Sequence, residues 1–175
     1  MKMSLFVSIL LVLIGGFFAL SLAADNDTLV RFKGGIGVIP VSSGVGSAAT
    51  AEVVNRNIVR GVQPAGQIWV IEDLDARVQT NGDVKVEGKG LILGGGDNAG
   101  RATGQRVIAT LICEPAPGPF TERSTAPAGV PLTAEGDFEI DDVLTPIATA
   151  CDSPMLLIRN AAGLAWFAVG IPALK

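Results

Sequence analysis

Short apolar segments separated by turn-forming residues recur along almost the whole 175-residue chain, and this pattern is the strongest constraint on its fold. Most segments alternate apolar and polar side chains with the period of two that is typical of β-strands, and almost none has helical periodicity. About eight strands at short spacing are typical of a sandwich or barrel. The sequence therefore predicts an all-β fold: a single β-sandwich, or partly open barrel, of about eight mostly antiparallel strands.

The strongest hairpin signal lies in residues 68–93. Segments 68–78 and 84–93 are rich in β-branched residues and flank an Asn-Gly-Asp sequence at 81–83. Asn-Gly readily adopts the positive φ angles of a tight turn between twisted strands. We therefore expect a hairpin in which Val84 and Val86 face the core while the intervening lysines and glutamate face solvent.

The remaining segments complete the predicted sheet. Further strands are expected at residues 29–41, 57–62, 107–113, 155–159 and 164–171. The strand at 107–113 is apolar on both faces and should be central, and the last two strands should form a closing hairpin. Residues 48–55 are the one plausible helical turn. Residues 114–129 contain four prolines and are expected to form a surface loop.

The N-terminal residues predict export. Lys2 precedes an apolar run at residues 5–20, and the small residues Ser21 and Ala23 suit signal peptidase. We expect residues 1–23 to be a cleaved signal peptide and residues 24–175 to form a single all-β domain. Its location would then be secreted, periplasmic or on the cell surface. The alternative is an uncleaved membrane anchor, because the apolar stretch is about long enough to cross a bilayer.

The only two cysteines, Cys113 and Cys151, both lie in the predicted exported part. Thiols pair in an oxidising compartment, and no CxxC spacing or histidine accompanies them. We therefore predict one structural disulfide. Closing a loop of about 38 residues stabilises a domain by about 4 kcal/mol in the chain-entropy model.

The composition excludes several classes of function. The chain has no histidine, so it cannot build a Ser-His-Asp or Cys-His nucleophile or a histidine-ligated zinc site from its own residues. Without Lys2, 12 of the 13 basic side chains remain against 17 acidic ones, which argues against nucleic-acid binding. The glycine run at residues 94–100 leads to another strand and lacks a Gly-Lys-Ser/Thr triplet, so it predicts a flexible connection, not a phosphate loop.

Glu72, Asp73 and Asp75 form the densest acidic group on a predicted strand. Asp73 and Asp75 share one face of a regular strand, and the simplest interpretation is a solvated face neutralised by Arg77. Strict alternation places Glu72 on the apolar face, so either a bulge redirects it or it is buried with a partner. Acid–base chemistry or calcium binding is the alternative for this group.

A second acidic group, Asp137, Asp141 and Asp142 with Glu139, follows a predicted turn. Alternation along one strand face fits an exposed edge more simply than a metal cage, and calcium binding is again the alternative. A carboxylate-dependent hydrolase would need Asp141 or Asp142 opposite Glu72, Asp73 or Asp75.

The aromatic residues offer few candidates for a binding surface. Trp69 and Trp166 lie within apolar strands and are expected to pack in the core rather than form a platform for sugars. Phe120, in the proline-rich segment, is the best candidate for an exposed ring.

These observations favour an exported noncatalytic domain with a structural or binding role at the cell surface or outside the cell. The expected partner is a protein or cell-surface component, which could be a second copy of the chain. No cofactor, nucleic acid or membrane contact is expected after signal cleavage. One alternative is a subunit of a surface fibre that self-associates through the N-terminal strand at residues 28–41, and the other is the carboxylate-dependent secreted hydrolase.

Overall fold

The computed structural model describes residues 28–45, 53–114 and 118–173, so the predicted signal peptide lies outside the described residues. No helix in this part of the chain is long and apolar enough to span a membrane. The described residues form strands only, in chain order β1 (Thr28–Gly37), β2 (Val41–Val45), β3 (Val53–Arg56), β4 (Trp69–Val70), β5 (Asp73–Gln79), β6 (Asp83–Lys89), β7 (Ile92–Leu93), β8 (Arg106–Cys113), β9 (Thr121–Ser124), β10 (Val130–Pro131), β11 (Phe138–Val143), β12 (Met155–Asn160) and β13 (Trp166–Pro172).

The main sheet is antiparallel and nearly closed into a barrel. Its strand order is β10-β8-β12-β13-β1-β5-β6-β11, and β9 pairs with the second half of β8. The two ends of this order meet where Ser124 and Thr145 exchange both main-chain hydrogen bonds, at 3.1 and 2.9 Å. The predicted all-β fold is therefore confirmed, in its barrel form.

The core fills the barrel because alternate side chains of each strand point inward. Leu74, Val86 and Ile140 are buried on neighbouring strands, as their alternation predicts. The strand β8 is buried on both faces from Val107 to Cys113, which confirms its expected central position.

The turn that joins β5 and β6 follows the sequence prediction. Gly82 has φ +92°, its N–H donates to Gln79 O, and Asn81 Oδ1 accepts the Asp83 N–H at 3.0 Å. The closing hairpin of β12 and β13 is also confirmed, because Leu157 pairs with Val169.

Both predicted strands of the first hairpin are interrupted at the same level. The segment 68–78 divides at Ile71–Glu72 into β4 and β5, and the segment 84–93 divides near Gly90, which has φ +62°, into β6 and β7. The Glu72 N–H still donates to Lys89 O across the break. As a result β4 and β7 leave the barrel and form a separate two-stranded sheet.

The predicted strand at residues 57–62 is wrong. Asn57 O accepts the Trp166 indole N–H, whereas Arg60 Nη1 donates to Ile112 O, and Pro64 returns to pair with Trp166. Val59 and Val62 form only an isolated bridge. This segment is therefore an irregular loop that turns at residues 60–61, and the Arg60 side chain reaches from it to the disulfide end of the barrel.

Two further predictions need correction. The proline-rich segment 114–129 contains a strand, β9, because Thr121–Ser124 pairs with the exposed edge of β8. The predicted helical turn at 48–55 is wrong for Val53–Asn55, which lie in β3 and pair with β2, while residues 48–52 lie outside the described residues.

The strand β1, which was considered for donation to a second copy, is paired on both sides within its own sheet. It lies between β5 and β13, with Arg31 opposite Arg77 and Ile36 opposite Val169. Donation of this strand stays a prediction and would require β1 to leave both neighbours.

The predicted disulfide between Cys113 and Cys151 is present, with a Cα–Cα distance of 5.0 Å. Glu114 N–H donates to Asp152 O beside the bond. The bond fits an oxidising compartment, as expected for an extracellular protein.

Candidate binding groove

The first acidic group lies on the outside of the barrel. Asp73 and Asp75 are both exposed on the outer face of β5, and Lys33 Nζ lies 3.8 Å from Asp75 Oδ2. Glu72 is exposed as well, because the break between β4 and β5 turns its side chain away from the core. Arg77 donates to Thr28 Oγ1 at 2.7 Å.

The second acidic group makes local contacts. Asp141 Oδ2 lies 2.8 Å from Lys85 Nζ, and this hydrogen bond raises the pKa of the Lys85 ammonium. Asp137 accepts the Gly90 N–H at 3.0 Å. Asp142 accepts the Ala126 N–H at 2.8 Å, beside the closure of the barrel.

Glu72 and Asp137 both lie at Gly90, because the Glu72 side chain packs beside this glycine and Asp137 Oδ1 accepts its N–H. The strands separate the other acids of the two groups. β6 lies between β5 and β11, so Lys85 stands between Arg77 and Asp141 across the three strands. Within residues 28–45, 53–114 and 118–173, no three Asp, Glu, Cys or His side chains lie close enough to hold a metal ion.

Phe120 is 46% exposed and lies at the disulfide end of the barrel. The guanidinium carbon of Arg60 is 5.2 Å from the centre of its ring. Arg60 also donates to Ile112 O at 3.0 Å and to Ser153 O at 2.6 Å, so it joins the segments on either side of the disulfide. The cation occupies one face of the exposed ring.

A groove lies at the opposite end of the barrel, where β8 and β13 begin and β12 ends. It consists of two neighbouring cavities. The first has a volume of about 370 Å³ and is lined by Trp69 and Phe167, and the second has a volume of about 380 Å³ and is lined by Arg106. Both are lined by Gln105 and Asn160, so these two side chains stand at the junction of the cavities. We call the two cavities together the amide groove.

The floor of the first cavity is apolar and aromatic. Trp69 of β4 stacks on Phe167 of β13 with ring centres 4.1 Å apart and planes inclined by 14°. Leu93 of β7 lies beside this pair in the lining. Trp69 is 4% exposed and Trp166 is 2% exposed, so both tryptophans pack in the core as expected, although Trp69 also borders the cavity. The divided hairpin therefore builds the groove, because β4 and β7 reach it only by leaving the barrel.

The two amides at the junction have fixed orientations. The Gly163 N–H donates to Asn160 Oδ1 at 2.5 Å, so Asn160 must present its NH₂ group on the other side. Asn160 Nδ2 then donates to Gln105 Oε1 at 2.5 Å. Gln105 Oε1 is thereby engaged, and its Nε2 remains as a donor group. A single main-chain N–H thus orients both side chains.

The main chain around these amides is held in place. The Gln105 N–H donates to Ala102 O at 3.3 Å, and Gln105 O accepts the Leu132 N–H at 2.9 Å. The Asn160 N–H donates to Ala165 O, while Asn160 O accepts the Leu164 N–H. Because both main-chain groups of Gln105 and Asn160 are engaged, these two residues offer a ligand their side-chain groups.

Thr103 on the rim has an unusual backbone conformation. Its φ is +52°, and Gly104 follows with φ +64° in the turn before β8. Positive φ is uncommon for a β-branched residue and costs about 1–3 kcal/mol. Glycine and asparagine adopt a positive φ more readily than threonine. The presence of a threonine hydroxyl at this position of the rim therefore lowers the stability of the folded protein.

The amide groove carries little charge. Among the described residues that line it, none is Asp, Glu or Lys, and Arg106 is the one charged side chain. Arg106 donates to Ala128 O at 2.8 Å and to Gly129 O at 2.6 Å, which binds its guanidinium to the wall of the second cavity.

No protein-family model, curated protein or solved structure matches this chain. The sequence analysis did not identify the groove residues. Gln105 and Asn160 are 55 positions apart and belong to no motif. The signal that could have pointed to them is the Thr-Gly turn at residues 103–104, where a threonine occupies a position suited to asparagine or glycine.

Proposed function

We propose that this protein is an exported noncatalytic domain that binds a component of the cell surface or extracellular space in the amide groove. The observation that carries the proposal is the oriented Gln105–Asn160 pair beside the aromatic floor. Binding sites combine an apolar lining with a few fixed polar groups, and both are present here.

The distribution of carboxylates supports a noncatalytic role. A glycoside hydrolase of the usual kind needs two carboxyl groups on either side of the bond that it cleaves. Asp73, Asp75 and Asp141 lie on outer strand faces, whereas Glu72 and Asp137 lie at Gly90. No carboxylate is among the described residues that line the groove. Asp141 and Asp142 are engaged by Lys85 and a main-chain N–H.

Export is supported by two independent features. The sequence predicts a signal peptide at residues 1–23, and the disulfide Cys113–Cys151 fits an oxidising compartment.

The proposal can be tested with full-length protein that is expressed with its own N-terminal segment and recovered in the oxidised form. We expect a fluorescently labelled sample to bind intact cells, or an envelope fraction, of its source in a saturable manner. Gln105→Ala should weaken this binding at least about tenfold, the size of one well-formed polar contact. Gln79→Ala is the matched control because Gln79 lies at the end of β5 far from the groove.

Binding that is not saturable, or equal binding by the Gln105→Ala and wild-type proteins, would show that the amide groove is not the binding site. Recovery of the protein only from the cytoplasm with free thiols would contradict export.

A further inference from the structure

We infer that the ligand of the amide groove is a neutral carbohydrate chain. This inference rests on the proposed function and specifies the chemistry of the partner. A sugar ring presents hydroxyl groups at its edge and C–H groups on its faces. The groove offers oriented side-chain amides to the hydroxyl groups and a small apolar floor to the C–H groups.

The polar contacts match hydroxyl groups. Gln105 Nε2 is an oriented donor, because its amide oxygen is already engaged by Asn160. Gln67 and Thr103 line the same cavity and add an amide and a hydroxyl, each of which can both donate and accept. Sugar hydroxyls also donate and accept, so neighbouring hydroxyls can bind one amide through two hydrogen bonds.

The apolar contacts available to a sugar ring are limited to the floor of the first cavity. Trp69, Phe167 and Leu93 line it but are only 4%, 4% and 7% exposed, so they offer the C–H groups of a sugar a small apolar contact and not an open stacking platform. Trp69 is held against Phe167, so its position is fixed before a ligand arrives and little side-chain entropy is lost on binding.

The charge of the groove argues for a neutral ligand. An anionic ligand such as a phosphate or uronic acid would favour a cluster of Lys and Arg, whereas Arg106 is the one cation among the described lining residues. Two of the guanidinium nitrogens of Arg106 already donate to main-chain carbonyls. The absence of Asp and Glu from this lining gives no counter-charge for a cationic ligand.

The middle of the groove offers few main-chain groups to a peptide. Extended peptides usually add to a strand edge and bind through unpaired main-chain groups. Here the main-chain N–H and C=O groups of Gln105, Asn160 and Trp166 are all engaged within the protein. Leu93 is engaged in the same way, through Arg101 O and the Gly100 N–H.

The shape of the groove indicates a chain of at least two sugar units. The two cavities, of about 370 and 380 Å³, lie on either side of the Gln105–Asn160 pair. Each has the volume of a small-ligand site. A carbohydrate that spans both would cross the amide pair in the middle of the groove.

The experiment is a titration of the ¹⁵N-labelled, oxidised full-length protein with cellohexaose, maltohexaose, mannohexaose and chitohexaose, followed by NMR. We expect at least one of these probes to shift the side-chain NH₂ signals of Gln105 and Asn160 in a saturable manner. Gln105→Glu keeps the size of the side chain but replaces the amide donor with a charge, and it should weaken binding at least about tenfold. Gln79→Ala should bind like the wild type.

Each of three outcomes would overturn the inference. In the first, none of the four probes binds. In the second, a probe binds the Gln105→Glu variant with the same affinity as the wild type, while the variant keeps the wild-type pattern of backbone signals. Periodate cleaves the vicinal C2–C3 diols of 1,4-linked glucose and mannose units, so if cellohexaose, maltohexaose or mannohexaose is the probe that binds, envelope fractions treated with periodate should lose binding. If chitohexaose is the probe that binds, chitinase treatment of the envelope takes the place of periodate, because internal N-acetylglucosamine units have no vicinal diol. If groove-dependent binding to the envelope survives periodate and is lost after protease treatment, the partner is a protein; the carbohydrate inference then fails while the proposed binding function stands.

Discussion

Replacing both cysteines with alanine should remove a large part of the stability of the folded protein. The bond joins positions 38 residues apart. In the chain-entropy model a loop of this length restricts the unfolded chain by about 13 cal/mol/K, or about 4 kcal/mol at 25 °C. The total stability of a typical domain is about 5–15 kcal/mol, so the variant should remain folded with a much smaller margin. A loss of about 4 kcal/mol corresponds to a fall in Tm of roughly 8–16 °C for a chain of this size.

The contacts beside the disulfide should not replace it. Arg60 bridges Ile112 O and Ser153 O, and the Glu114 N–H donates to Asp152 O, so the same two segments are held together without the bond. These hydrogen bonds exist only in the folded state, however, and do not restrict the unfolded chain. They therefore cannot supply the entropic effect of the covalent link.

The measurement is urea unfolding followed by tryptophan fluorescence, because Trp69 and Trp166 are buried and become exposed on unfolding. Wild-type protein kept reduced by dithiothreitol is the control and should show the same loss as the double alanine variant. This comparison separates the effect of the bond from that of the missing sulfur atoms. A loss below about 1 kcal/mol would refute the reasoning, since it would mean that the unfolded chain already holds these segments together.

Two other substitutions test the packing and the electrostatics of the barrel. Gly88→Ala places a Cβ atom 2.1 Å from the ring of Phe138 and should destabilise the protein by about 1–3 kcal/mol in thermal unfolding. The control is Gly66→Ala, whose Cβ would have no neighbouring atom within 4 Å and whose effect should be within about 0.5 kcal/mol. Equal effects of the two would contradict the close packing of β6 on β11. Asp141→Asn should lower the pKa of Lys85 toward its ordinary value, measured by NMR titration of the Lys85 side chain, because the hydrogen bond that Lys85 donates to Asp141 is the main cause that raises it. Since the folded-state pKa of Lys85 is raised, the contribution of this pair to stability is present at neutral pH and is lost as the pH rises through that pKa. An unchanged Lys85 pKa in the variant would show that the contact is not formed in solution.

Side-chain direction along the strands could be predicted because it is a local property. Residues one position apart on a strand point to opposite faces, so the buried Val84 and Val86 and the exposed Lys85 follow directly from their order. The Asn81-Gly82 turn and the disulfide also depend on few residues.

The interruption of the first hairpin could not be predicted in the same way. Residues 68–78 look like one continuous strand, and the position of its break depends on Gly90 in the opposite strand and on the Asp137 side chain that binds the Gly90 N–H. Glu72 was recognised as out of place in a regular strand, but the pattern alone did not distinguish a break from a buried charge.

The amide groove depends even more on distant contacts. The orientation of Gln105 is determined by Asn160, whose own orientation is determined by the main chain at Gly163. Glutamine and asparagine are common in surface loops, so neither residue is distinctive by itself. What makes them a candidate site is the meeting of the turn before β8 with the turn between β12 and β13.

The pairing of β1 with β13 has a consequence for the order of folding during export. Phe32 lies opposite Pro172, and Gly37 lies opposite Ala168, so one edge of β1 has no partner until the final strand is present. Fragments that stop before residue 166 should therefore lack the near-ultraviolet circular dichroism of packed tryptophans. A chain that crosses a membrane with its N-terminus leading would emerge with its barrel still open until the last strand had followed.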